Sequence, residues 1–379
     1  MRKITSILPA SSLFAVILLA LSACTGLPVR GMVGGQIIET RVDSEVARYY
    51  LANYLAGNHS NPVLDARIDH VYQTLDGRVP GQSELKQLSE EFSSDFAALL
   101  FADQISRMPI NGRFRSLFDE AYDYARKVLS EGHVKLPDAA AHYEALIVPS
   151  YLYNRVNFSG ADLAAPREAL QRVGLTCHFV ETSDDGPIES NADIVMAAIR
   201  ARAQSGRRLI IISASKSGPE VALALTKLGP AETHHVAAWI NAVGALQGTP
   251  LIDDNVIPEL EFFVGKVSAA GAESMSTSRS RQRFKSFRIP QHIFVVNFFG
   301  IPVSGSVGFR ARRGFFPLQK YGPNDGMVLL ADMIFPGGVT LAELGSDHFL
   351  MDQHLDVTAV ALAITVIRWL DDDARHINK

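Results

Sequence analysis

The chain has 379 residues, 47% of them hydrophobic, with 36 basic and 40 acidic side chains and a formal net charge of −4. That balance supplies no broad basic field and argues against a nucleic-acid partner. With only Cys24 and Cys177 no disulfide can staple the core, so stability rests on burial, for which this length can build one large core or two smaller ones.

The N-terminus reads as an export signal. Arg2 and Lys3 precede an apolar run, "LFAVILLAL" over 13–21, and a small-residue zone, "SAC", that ends at Cys24. The run is short for a bilayer span, which needs about 20 apolar residues. Leu21-Ser22-Ala23-Cys24 resembles the lipobox of bacterial lipoproteins. The resemblance implies a signal peptide over 1–23, lipidation of Cys24 and, with Thr25 where Asp would retain the protein in the inner membrane, an outer-membrane position facing the periplasm. An ordinary secretory signal with an incidental cysteine is the alternative. Residues 24–35, containing "TGLPVRGMVGG", read as a tether.

From 36 to 138 the apolar residues recur at helical spacing, as in "SEVARYYLANYL" (44–55), "SELKQLSEEFSSDFAALLFADQI" (83–105) and "RFRSLFDEAYDYARKVL" (113–129). Asp43 and Ser83 are candidate N-caps, and "GRVPGQS" and "RMPINGR" supply breaks. The pattern predicts an all-helical N-terminal region, a candidate surface for a protein partner.

Residues 139–379 change texture. Short β-branched apolar runs at 145–151, 175–182, 208–213, 235–242 and 292–300 read as strands buried on both faces. Helical segments at 165–174, 191–206 and 218–229 separate them, closed by Gly174, Gly206 and Gly229. Strand and helix in alternation predict an α/β class, with a mostly parallel sheet, helices on both faces and the active site at the strands' carboxyl ends.

The third strand runs into "SASKSG", which puts Ser215 in a tight turn before a helix with Ser213 and Ser217 two residues to either side. A nucleophile there holds a strained backbone costing about 1 to 3 kcal/mol, and the flanking side chains must be short to clear the neighbouring strand and helix. The stretch resembles the G-x-S-x-G nucleophile elbow of the α/β-hydrolase superfamily, with serines where glycines usually stand. In that superfamily the chain order is serine, acid, histidine. Downstream, "YGPNDGMVLL" (321–330) sets Asp325 in a turn, and "GGVTLAELGSDHFLMD" (337–352) sets His348 after an apolar run. Both are similar to the loops that hold acid and base in lipases and esterases. "INAVGALQGTPLID" (240–253) is likewise similar to a lipase segment reading G-[ST]-P-L-x-D.

The resemblance implies the α/β-hydrolase fold and a triad of Ser215, Asp325 and His348 acting through an acyl-enzyme. The amide of Lys216 is one oxyanion donor by the same resemblance, and the second comes from "PSYLYNR" (149–155), at the amide of Tyr151 or Leu152, although the usual His-Gly or Gly-Gly pair is missing there. Asp332 and Asp347 are rival acids. His354 falls within a helix-forming run and is the poorer base. Tyr151 and Tyr153 are candidates for an acyl-pocket wall or for plain core aromatics. Residues 254–290 occupy the position of a cap, and their basic stretch, Arg279, Arg281, Arg283, Lys285 and Arg288, is either a solvated face or a contact for anionic lipid headgroups.

The function implied is a membrane-anchored serine hydrolase cleaving a carboxylic ester, with no cofactor and no metal. Adjacent His234 and His235 would point opposite ways on a strand, and neither a metal-ligand spacing, a P-loop nor a dinucleotide glycine pattern occurs. Acyl transfer or amide cleavage by the same triad is the neighbouring possibility. A non-catalytic hydrolase-fold lipoprotein serving as a binding platform is the distant one, favoured by the substituted elbow glycines.

Overall fold

β1 (Leu27–Val33) and β2 (Gln36–Val42) open the computed structural model, which describes residues 26–131, 136, 138–156, 160–255, 257–350 and 354–377. The signal-like segment and Cys24 lie outside those residues. The two strands pair antiparallel from Leu27↔Val42 to Val33↔Gln36. Gly34 and Gly35, at φ +55° and +84°, make the two-residue turn, which demands two left-handed residues in succession. The tether expected over 24–35 and the helical start at 36 are therefore corrected to a hairpin. Gly-Gly between two seven-residue runs was its signal.

Five helices follow: α1 (Glu45–Ala52), α2 (Pro62–Leu75), α3 (Gln82–Glu91), α4 (Ser94–Arg107) and α5 (Pro109–Glu131). Two N-caps shift by one or two residues from expectation. Ser44, not Asp43, caps α1 by accepting from Ala47 N at 3.2 Å. Gly81, not Ser83, begins α3, its amide donating to Glu84 Oε2 at 2.9 Å. The long segment expected over 83–105 breaks where Ser93 accepts from Phe96 N at 3.2 Å and starts α4 afresh. These helices form no separate body. Phe101 of α4 stacks on Phe299 with ring centroids 6.4 Å apart, and Phe114 of α5 meets Phe294 at 5.9 Å and Trp369 at 5.5 Å. One hydrophobic core continues from hairpin to sheet, so much of the apolar face offered to a partner is spent within the chain.

The sheet has six parallel strands: β3 (Tyr143–Val148), β4 (Thr176–Phe179), β5 (Arg208–Ala214), β6 (Val236–Ala242), β7 (Phe294–Ile301) and β8 (Val339–Leu344), in the order β4-β3-β5-β6-β7-β8. Between them run α6 (Ala164–Arg172), α7 (Ile188–Arg202), α8 (Ser217–Glu232), α9 (Ile257–Val264), α10 (Thr277–Phe284) and α11 (Arg312–Leu318), and α12 (Leu355–Ile377) closes the chain. Ile211 and Trp239 pack on one face with Val195 of α7 and Leu225 of α8. Ile210 and Ile240 pack on the other with Leu170 of α6 and Ile364 of α12. Burial on both faces explains why the strands read as continuous apolar runs.

The basic stretch of 254–290 is tied into the fold. Arg283 is buried and bonds Glu189 at 2.6 Å, Arg281 reaches Asp332 at 3.4 Å, and Arg279 pairs with Glu273 at 2.5 Å. With four of its five cations exposed and three beside carboxylates, this stretch is the solvated face of the two readings, tied to the fold through buried Arg283.

Asp43 and Asp95 hold each other's amides, Asp43 N donating to Asp95 Oδ2 at 2.8 Å and Asp95 N to Asp43 Oδ2 at 3.1 Å. The other Asp95 oxygen accepts from Ser304 N and Oγ at 2.9 and 3.0 Å, joining α4 to the loop after β7. Burial first, then the Asp43 charge, push the Asp95 carboxyl up to about 7 against the pull of the Ser304 bonds. A folded value raised above the unfolded ~3.9 means that the stability from this group is full below about pH 4 and lost as pH rises through about 7. Thermal melts should accordingly fall between about pH 5 and about pH 7.5. Asp43→Asn, which keeps an oxygen for the Asp95 amide but removes the charge, should flatten that slope; an unchanged slope would refute the assignment.

Candidate active site

β5 ends at Ala214 and α8 begins at Ser217, leaving two residues to turn the chain. Ser215 takes φ +53°, the left-handed region that costs a non-glycine residue. The turn is held on both sides: Ser215 N donates to Ala242 O at 2.9 Å, and its carbonyl accepts from Gly218 N and Ala245 N, each at 3.0 Å. A Cβ on Gly218 would come within 2.6 Å of Asn241 Oδ1, so the helix can lie this close to β6 only with glycine there.

The flanking serines have tasks that glycine could not perform. Ser213 Oγ accepts from the buried Trp239 indole N–H at 2.9 Å, and a buried indole needs such a partner. Ser217 Oγ accepts from Ala214 N at 2.8 Å and lies 2.9 Å from the carbonyls of Val148 and Ala214. It thereby fastens the turn to β3. The substituted glycines, which had favoured a non-catalytic scaffold, are thus accounted for by local bonding.

The structure brings Ser215, His348 and Asp325 together. Ser215 Oγ is 3.0 Å from His348 Nε2, and His348 Nδ1 is 2.6 Å from Asp325 Oδ2. Asp325 is fully buried, and its Oδ1 accepts from Met327 N at 2.9 Å and Val328 N at 2.7 Å. Its carbonyl takes His348 N at 2.9 Å, so the two loops are bonded through main chain as well as side chain. Thr249, in the segment after β6, donates to Met327 O and secures the same turn. The rival acids are employed elsewhere. Asp347 accepts from Gly308 N at 2.8 Å and Phe349 N at 3.0 Å, and Asp332 faces Arg281. Burial raises both carboxyls, that of Asp332 to about 6.

Near Ser215, the amides of Lys216 and Tyr151 have no acceptor among the described residues. Leu152 does not qualify as a donor: its amide donates to Asp184 O at 2.7 Å, with Leu152 itself at φ +58°. That long-range bond fixes the loop and is invisible in its sequence. Tyr151 and Tyr153 divide between the two roles foreseen. Tyr151 lines the cavity beside Ser215, and burial pushes its hydroxyl up to about 12. Tyr153 is buried, donates to Thr182 O at 2.8 Å and packs edge-on to Phe179.

The buried partner of the Lys216 side chain escaped the sequence reading. Lys216 is buried, and its ammonium bonds Glu220, one turn along α8 and equally buried, which also accepts from Asn191 Nδ2 at 2.8 Å. The ammonium lies 5.9 Å from the centroid of the Tyr151 ring. Burial pushes the Glu220 carboxyl up while Lys216 pulls it down. A Lys and a Glu four apart at a helix start carried the available signal.

A cavity of about 290 Å³ opens at Ser215 and His348. It runs between the carboxyl ends of β5 and β6, at Ile212 and Ile240, and the apolar side of α12, at Ala359 and Leu362. Phe298 and Phe349 complete walls that hold few polar groups.

Neither a protein-family model nor a curated protein matches the chain. Among solved structures, a metagenomic carboxyl esterase is similar over 63% of this chain and 78% of its own, with 19% identity and a TM-score of 0.51. The mature form of a lipase from Bacillus licheniformis is similar over 57% of this chain and 88% of its own, with 21% identity and a TM-score of 0.47. The likeness is one of fold. The chain has the α/β-hydrolase fold, as its elbow and strand series led us to expect.

Proposed function

We propose that the chain is a serine hydrolase that cleaves a carboxylic ester carrying an apolar acyl chain of moderate length. The observation that carries this reading is the unbroken path Ser215–His348–Asp325, with contacts of 3.0 and 2.6 Å, at the mouth of an apolar cavity. Ser215 Oγ–H gives its proton to His348 Nε2 as the oxygen attacks the ester carbonyl. His348 Nδ1–H donates to Asp325, which holds the ring in that tautomer and offsets the imidazolium charge. The amides of Lys216 and Tyr151 receive the oxyanion. His348 then returns the proton to the leaving alcohol, and a water activated by the same imidazole releases the acid from the acyl-enzyme.

The cavity supports the substrate class. At the ~30 Å³ a water molecule occupies in the liquid, its volume corresponds to on the order of ten non-hydrogen atoms. An acyl chain of that size would displace water from apolar walls, with a gain of about 0.8 kcal/mol per buried methylene. By the lipobox resemblance of Leu21-Ser22-Ala23-Cys24, the reading includes lipidation at Cys24 and an outer-membrane position facing the periplasm.

A fluorophosphonate probe should label the protein stoichiometrically and fail to label Ser215→Ala. Across p-nitrophenyl esters, kcat/KM should rise from acetate to medium chains and fall beyond them, and Leu362→Trp should move the optimum to shorter chains. Labelling that persists in Ser215→Ala removes the mechanism, while a flat chain-length series removes only the acyl pocket.

A further inference from the structure

The outward face of the segment around α11 exposes two aromatic rings beside cationic side chains. Arg312 N donates to Gly308 O and Phe315 N to Ala311 O, so the helical path begins at Gly308. Val307, Ala311, Phe315 and Leu318 are turned inward and buried. Phe309, Arg312, Arg313, Phe316 and Lys320 fall on the opposite face at helical spacing and are exposed. Phe309 is 85% exposed and Phe316 45%, on a face where a solvated helix would carry only polar groups. From Ile301 to Asn324 the sequence has four cations, Arg310, Arg312, Arg313 and Lys320, and not one acidic residue, in a chain whose net charge is −4. Lys320 pairs with Asp254 at 3.0 Å, whereas the exposed Arg312 guanidinium donates to the carbonyl of Val307, at 3.1 Å, and pairs with no carboxylate among the described residues.

We infer that this face docks on an anionic lipid surface. Its aromatic rings would enter the headgroup region while Arg312 meets lipid phosphate, the pairing of apolar insertion and electrostatic attraction that interfacial helices use. Charge complementarity selects the lipid: a neutral surface offers the rings a place but gives the cations nothing.

The position matters because the face adjoins the cavity. Gly308 N donates to Asp347, the residue before His348, at 2.8 Å. Val307, Ala311 and Phe315 pack against Phe349, which walls the cavity. The inference goes beyond the hydrolytic reading and does not depend on it, since binding to lipid is measurable without turnover.

The test is flotation of the chain from residue 25 onward, which lacks both the apolar signal-like run and Cys24, so that neither insertion nor acylation can supply the binding, on vesicles of phosphatidylcholine alone or mixed with phosphatidylglycerol. The parent should float with the anionic vesicles, weakly with the neutral ones, and lose binding as salt rises. Phe309→Ser with Phe316→Ser should weaken binding about tenfold or more. Arg312→Glu, a change of two charges, should weaken it by a similar factor on anionic vesicles alone. Both variants should melt close to the parent, which reports that they fold. Equal binding by parent and variants, equal binding to both vesicle types, or no binding by the parent would each overturn the proposal.

Discussion

Ser215→Ala lowers kcat for a medium-chain ester by about 10⁴-fold or more, with a residual rate from the oxyanion donors and the acyl pocket. The flanking serines are no substitute: Ser213 and Ser217 are buried, with their hydroxyls engaged at Trp239 and at the elbow main chain. His348→Ala should cost nearly as much, and the pair Ser215→Ala with His348→Ala little more than either, because nucleophile and base act as one unit. Stability provides the control. Alanine at φ +53° is strained as serine is, so Ser215→Ala should melt near the parent, whereas Ser215→Gly relieves a cost of roughly 1 kcal/mol and should melt higher. A Ser215→Ala variant that keeps a tenth of its kcat would mean the nucleophile lies elsewhere.

What could be read from the chain depended on whether a feature was written in neighbouring residues. Ser215, Asp325 and His348 stand in turns whose chemistry is local: a small-residue corner, an Asn-Asp-Gly turn and a Gly-Ser-Asp-His loop, each at the end of an apolar run. Strands buried on both faces were legible for the same reason. The second donor was not, because Leu152 is set aside by a bond to Asp184 more than thirty residues away, at a backbone angle its loop does not announce. Nor was the fate of the basic stretch, since Arg283 finds Glu189 across 94 residues. The hairpin is a different kind of miss. Its Gly-Gly turn was plainly written between Val33 and Gln36, but it was absorbed into the tether, and the helical period of the following hundred residues was carried back to 36 over the second strand.

Glu220→Ala should destabilise the fold by about 3 to 5 kcal/mol, a large part of the ~5 to 15 that holds a domain together. The reason is what remains rather than what is removed: Lys216 is only 2% exposed, and among the described residues Glu220 is the carboxylate its ammonium pairs with. It must shed its proton or swing toward solvent, and either course disturbs the first turn of α8, where the Lys216 amide faces the proposed oxyanion. Activity in Glu220→Ala should therefore fall even at temperatures where the protein is folded. Lys216→Met combined with Glu220→Leu separates the two effects. Replacing a buried ion pair by apolar side chains of similar volume is often neutral or stabilising, although Asn191 loses an acceptor here. The double variant should thus melt close to the parent. If the backbone amide is the group that meets the oxyanion, kcat should also return to within about tenfold of the parent, because a single main-chain donor lost would cost about 10² to 10³. A double variant that folds as well as the parent yet stays inactive would instead assign the electrostatic work to the ammonium, beneath the ring of Tyr151.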